Sequence, residues 1–163
     1  MRGFITGKRY KVITVFVDQY SDLSFVYTQK STTAEETVQA KEAFERYAKT
    51  HGVTVRHYHA DNGIFAEAEF LRAVEKNGQS ISFCGVNAHH MNGHAEKRIR
   101  DLQENARAML LHAKRRWPTA VSTHLWPYAV RMANEVHNFS PSIKDAISPI
   151  EKFSQVQVSP RVK

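Results

Sequence analysis

Cysteine is almost missing from this chain: 163 residues carry one, Cys84. A single thiol excludes an internal disulfide and a four-cysteine zinc site. Lying after a short apolar run, Cys84 reads as a small buried hydrophobe. Long apolar runs are missing too. None approaches the ~20 residues that span a bilayer, and the N-terminus lacks the apolar stretch of a secretory signal. The expectation is an intracellular, soluble protein without a membrane partner. Acid is scarce relative to base: 16 Asp+Glu against 23 Lys+Arg leave a net charge of +7. Such a balance favours a polyanionic partner, nucleic acid or an anionic membrane surface, and does not set the fold. There is no repeat and no low-complexity tract.

The residues that are present read as one domain of alternating elements. Tyr10 to Asp18 (YKVITVFVD) is rich in β-branched and aromatic types and reads as a strand. After a turn at Gln19–Asp22, Ser24 to Gln29 is the returning strand of a hairpin. Thr33, with Glu36 three residues on, opens a helix as a capping box. Val38, Ala40, Ala43, Phe44, Tyr47 and Ala48 continue it at helical spacing, and Gly52 closes it. Val53 to His59 alternates as a strand and delivers the chain to the turn Asp61-Asn62-Gly63. A helix from about Ala66 to Lys76, a strand from Ser80 to Cys84 and a polar loop, Gly85 to Asn92, follow. A long helix runs from about Gly93 to Arg115. A last helical region starts at Pro118 and ends near His137. Beyond Pro141 the pattern fades. A hairpin leading into α/β alternation predicts a mixed sheet flanked by helices.

Two carboxylates stand out. Asp61 ends a strand, where α/β folds tend to place ligands, and Glu96 lies in the first turn of the long helix. Paired carboxylates suit Mg²⁺ or Mn²⁺, because hard cations take anionic oxygens. Taken alone, Asp-Asn-Gly is a common turn and a Glu at a helix start a common dipole partner. Glu96, Arg100, Gln103 and Arg107 fall on one polar stripe, flanked by Lys97 and Arg98; such cations can follow a phosphate backbone. The plain alternative is a solvated face with Lys97–Asp101 and Arg100–Glu104 pairs. His90 and His94 invite a zinc reading, but Asn92-Gly93 interrupts the helix between them and no third ligand is evident. The acid pairs Glu35/Glu36 and Glu67/Glu69 suit helix first turns.

The segments His57-Tyr58-His59-Ala60-Asp61-Asn62-Gly63 and Val86-Asn87-Ala88-His89-His90-Met91-Asn92-Gly93-His94-Ala95-Glu96-Lys97-Arg98 resemble the integrase core of copia-type retrotransposons, most of all those of diatoms and related algae. The resemblance extends from Phe16-Val17-Asp18 to Trp126-Pro127-Tyr128 and Asn134. It implies a ribonuclease H-like fold and DNA integration: an Asp, Asp, Glu triad binds two divalent metals, Mg²⁺ or Mn²⁺, and joins element ends to target DNA. By motif, Asp61 matches the second acid and Glu96 the third, as catalytic residues and metal ligands. The 34 residues between them are one fewer than is usual in that family, a difference a loop can absorb.

The resemblance further nominates Asn62, Asn87, His89 and Asn92, beside Lys97, Arg98, Arg100 and Arg107, as nucleic-acid contacts. It implies self-association, and residence in the nucleus or a virus-like particle. Asp18 is read as a decoy for the first acid: it belongs to the second strand of the family fold, expected to end on the order of 20 Å from Asp61. Met1 to Lys8 hold no acid. The expectation is therefore an N-terminally truncated core over 1–140, its first strand missing or truncated, with a weakly structured tail over 141–163. A catalytically inactive DNA-binding remnant is the alternative function.

Overall fold

The computed structural model describes residues 10–84, 92–143 and 146–156. Strands β1 (Val12–Val17) and β2 (Ser24–Gln29) form an antiparallel hairpin with Val12 opposite Gln29 and Val17 opposite Ser24. The turn between them is closed by Asp18, whose Oδ2 accepts the Ser21 N–H (2.8 Å) and hydroxyl (2.6 Å). Asp22, at φ 63°, adopts the left-handed conformation that a short polar side chain tolerates. Helix α1 (Ala34–Thr50) starts where Thr33 accepts the Glu36 N–H at 3.4 Å. The other half of the expected capping box is redirected: the Glu36 carboxylate accepts from Lys30 N–H and the Ser31 hydroxyl. Gly52, at φ 75°, lets the chain leave the helix.

Strand β3 (His57–Ala60) pairs in parallel with β4 (Ser80–Phe83). A parallel pair needs a crossover, supplied by a 3-10 turn (Ile64–Ala66) and α2 (Ala68–Lys76), so the helix expected from Ala66 starts slightly later. The long helix α3 (Gly93–Arg116) lies where periodicity placed it. Helix α4 begins at Trp126, not Pro118, and ends at Phe139; Trp117–Val121 form a turn, and Pro127 supplies the fixed φ favoured at a helix start.

The hairpin carries apolar side chains on both faces. Phe16, Phe25 and Tyr27 pack with Ala40 and Phe44 of α1, and this cluster extends to Tyr58, Phe70 and Val74. Ile13, Val15 and Val26 pack on the opposite side with Leu102 and Ala106 of α3 and Ala129, Val130 and Ala133 of α4. The result is a strand layer between two helical layers. One part of the expected tail is instead ordered. Pro149–Ser154 form a short helix, α5, whose Ile150 and Phe153 enter the α1-side core. Its start is a complete capping box, Ser148 with Glu151, so local hydrogen bonding and apolar burial both favour it.

Among the described residues, β1 pairs only with β2 and β3 only with β4. A cleft of about 610 Å³ lies between β1 and β3. The first strand of the expected fold, and the Gly85–Met91 part of the polar loop, fall outside the described residues.

Candidate functional site

Asp61 directly follows β3, and its exposed carboxylate accepts the Gly63 N–H at 3.3 Å, an Asx turn that aims the side chain. The Asn62 amide donates to the Cys84 carbonyl at 3.2 Å and ties this turn to the end of β4. Asn62, nominated from the sequence as a nucleic-acid contact, is thus engaged in holding the loop. Asp61 lines the cleft together with Asn92, His94, Ala95 and Ile99, the start of α3. The strand-end acid and the helix turn that carries Glu96 therefore border one space. Glu96 itself is exposed.

Along α3, Lys97, Arg100, Gln103 and Arg107 are exposed. Among the described residues, neither Lys97–Asp101 nor Arg100–Glu104 closes as an ion pair; the helix face presents its cations to solvent. Arg98 departs from the sequence expectation of a phosphate contact. Its side chain is 11% exposed and bonds Asp22 at 2.5 Å and the His137 ring at 3.0 Å. Its direction follows helical geometry: Arg98 faces the sheet and α4, whereas Lys97 and Arg100 point outward. Asn87 and His89 lie outside the described residues, as does His90 of the zinc alternative; His94 contacts Asp22 at 2.7 Å.

Asp22 therefore gathers the β1–β2 turn, the first turns of α3 and the end of α4, where His137 Nε2 meets its carbonyl at 2.8 Å. Burial opposes ionisation of Asp22. The hydrogen bonds from Arg98 and His94 and the charge of Arg98 outweigh it and hold the carboxyl below its ordinary value. Burial also depresses the His137 imidazole, with the Arg98 charge acting in the same sense. Sequence spacing could not reveal this cluster, because Asp22 and Arg98 are separated by 76 positions.

Asp18 shares the cleft lining with Asp61, but both described hydrogen bonds of its carboxylate close the hairpin turn. Among the described residues, no group of three or more His, Cys, Asp or Glu is arranged to hold a metal ion. Asp61 and Glu96 are donors of the right chemistry for Mg²⁺ or Mn²⁺, but these residues alone do not assemble a site for it.

No family model and no curated protein matches the chain. Solved structures do. The integrase catalytic core of HTLV-2 in complex with magnesium, in a trimeric form, superposes with a TM-score of 0.65 at 20% identity, over 86% of this chain and 83% of that one. The integrase catalytic core of BIV gives 0.65 at 19% identity, over 88% and 85%. A chain of the simian T-cell lymphotropic virus intasome, in complex with the PP2A regulatory subunit B56 gamma, gives 0.67 at 17% identity, over 93% of this chain but 54% of its own length. The fold is accordingly the mixed α/β, ribonuclease H-like architecture of retroviral integrase cores.

Proposed function

We propose that this chain is the DNA-handling core of an integrase of copia-retrotransposon type, and that it binds DNA along one face of its long helix. The observation that carries the reading is the α3 face: exposed, unpaired Lys97, Arg100 and Arg107 run from the helix turn that borders the Asp61-lined cleft. Cations on a rigid rod follow a phosphate backbone and release counterions on binding, so affinity falls steeply with salt. Gln103 adds a neutral hydrogen-bonding group to the same face. The integrase-core fold supports element ends and target DNA as the polyanions. Divalent metal, where an integrase of this fold is complete, stabilises the attacking and leaving oxygens of phosphoryl transfer. Asp61 and Glu96 are the residues of this chain that would hold it. The reading carries with it residence in the nucleus or a virus-like particle.

The test is fluorescence anisotropy with a labelled duplex across a salt series. Wild-type protein is expected to lose affinity linearly in log salt. Changing Lys97, Arg100 and Arg107 to Ala should flatten the slope by about one unit per lost phosphate contact. Arg98→Ala should lower thermal stability more than it changes the slope. Affinity indifferent to salt would sink the reading. Mn²⁺-dependent strand transfer by the purified protein that Asp18→Asn abolishes would overturn the assignment of Asp18 to the turn.

A further inference from the structure

The outer face of the β3–β4 pair carries a cluster that DNA binding along α3 does not use. β3 alternates strictly: Tyr58 and Ala60 are buried, while His57 and His59 are exposed. The two-residue period of a strand therefore sets both imidazoles on one solvent-facing side, their Cα atoms roughly 7 Å apart. The parallel register places Ser80 opposite His57 and Ser82 opposite His59. Cys84, two residues beyond Ser82, brings its sulfur to 3.4 Å from His59 Nε2.

The two rings converge. His57 Nε2 and His59 Nδ1 each lie 2.9 Å from the same atom, the Ser82 hydroxyl oxygen. Two ring nitrogens aimed at one point form a chelate once an ion takes the place of that hydroxyl. Zn–N bonds are about 2.0–2.1 Å long, so each nitrogen has to close in by about 0.8 Å. The far nitrogens are provided for as well. A metal-bound imidazole keeps its proton on the other ring nitrogen, and an acceptor for that proton fixes the tautomer and the ring. His57 Nδ1 lies 2.8 Å from Ser80 Oγ, whose own proton goes to the Arg56 carbonyl at 3.5 Å. His59 Nε2 has the Cys84 sulfur as its acceptor. Both rings are thus held at their far edges, with their near nitrogens turned toward a common centre.

We propose that His57 and His59 form a two-imidazole chelate for a divalent transition-metal ion of the Zn²⁺, Cu²⁺ and Ni²⁺ class. Donor chemistry selects that class: neutral imidazole suits these ions, whereas Mg²⁺ and Mn²⁺ take the carboxylate oxygens offered by Asp61 and Glu96. Among the described residues no group of three or more His, Cys, Asp or Glu is arranged around an ion, so the chain supplies two donors and solvent completes the coordination. The ion is accordingly exchangeable rather than structural. The inference is independent of DNA binding.

Isothermal titration calorimetry of the untagged full-length protein with Zn²⁺, in an excess of Mg²⁺, tests it. A binding event is expected that His57→Ala and His59→Ala each weaken by about tenfold or more, and that Ser80→Ala weakens about tenfold by removing the partner of His57 Nδ1. Cys84→Ser should leave the event in place, because a serine oxygen accepts the same His59 N–H. His94→Ala should leave it in place too. A measurement on the unaltered protein removes dependence on the variants. In ¹⁵N spectra of the histidine rings, Zn²⁺ should shift Nε2 of His57 and Nδ1 of His59. Absence of a binding event overturns the proposal, as does one that survives His57→Ala or His59→Ala. Loss of the event in Cys84→Ser would make the sulfur a ligand, and loss in His94→Ala would move the ion to another site; either overturns it. Ring shifts confined to other histidines do the same.

Discussion

At the scale of single residues, Lys41 is the least expected feature. It sits on the buried face of α1 with a fully buried side chain, a position at which helical periodicity calls for an apolar residue. Its ammonium pairs with Glu45 at 2.8 Å, donates to the Ala73 carbonyl at 3.3 Å and lies over the Tyr58 ring. Glu45 in turn accepts from the Tyr58 hydroxyl and the Gln79 amide at 2.7 Å each, and from Asn77 at 3.0 Å. A buried ion is tolerated when it is paired and hydrogen-bonded, and removal of one partner leaves an uncompensated charge. Glu45→Gln is therefore expected to cost about 3 kcal/mol in urea unfolding at neutral pH. Burial pushes the Glu45 carboxyl up, but the hydrogen bonds from Lys41, Gln79 and Tyr58 and the Lys41 charge win and hold it below its ordinary 4.5. A carboxyl depressed in the folded state contributes stability that is complete above its unfolded pKa and lost as pH falls through its folded one. Stability should thus drop below about pH 4.5, and Glu45→Gln should flatten that acid limb; an unchanged limb would show that the pair is not coupled to folding. Neither partner signals this role in the sequence, where Lys41 and Glu45 look like an ordinary surface i,i+4 pair.

At the scale of elements, the helices were legible to differing degrees for physical reasons. α1 and α3 carry regular apolar spacing over many turns, and their bounds follow from it. α4 has apolar residues around most of its circumference, so periodicity does not say which side faces inward. Ala129, Val130 and Ala133 are buried, whereas Tyr128, Met132, Val136 and Phe139 form an exposed row. Its burial is decided partly by polar residues: Ser24 hydroxyl donates to Asn134 at 2.7 Å, and Asn138 spans the Ser24 backbone. α5 is too short for periodicity to register, but Ser148-Pro149-Ile150-Glu151 is a local start signal that was present in the sequence. Phe153, buried against the α1-side cluster, makes this helix part of the core. Phe153→Ala should therefore destabilise the whole protein by about 3 kcal/mol. A calorimetric midpoint indistinguishable from wild type would mean that α5 is an appendage.

At the scale of the whole molecule, two surfaces remain to be matched with partners. The α3 face is cationic and suited to DNA, and the exposed α4 row is apolar and of the kind that marks an association surface. Sedimentation is expected to show concentration-dependent self-association that Met132→Glu reduces, against the background of a net +7 charge that opposes it; a strictly monomeric wild type would count against that role. The sequence by itself determined the elements whose cause is local: β-branched strands, capped and periodic helices, the Asp61 turn and the placement of Glu96 one helix turn into α3. It also determined the basic balance, which is a sum over residues and needs no fold. Tertiary structure alone decided which cations remain free. Arg98 and Lys97 are neighbours in the chain, yet one is bound to Asp22 and the other faces water, because the helix turns about 100° between them. It alone decided that Lys41 is buried and that β1 and β3, which pair with different strands among the described residues, border one cleft beside Asp61. These outcomes depend on contacts between residues far apart in sequence, and the free energy of such contacts exists only once the layers have packed.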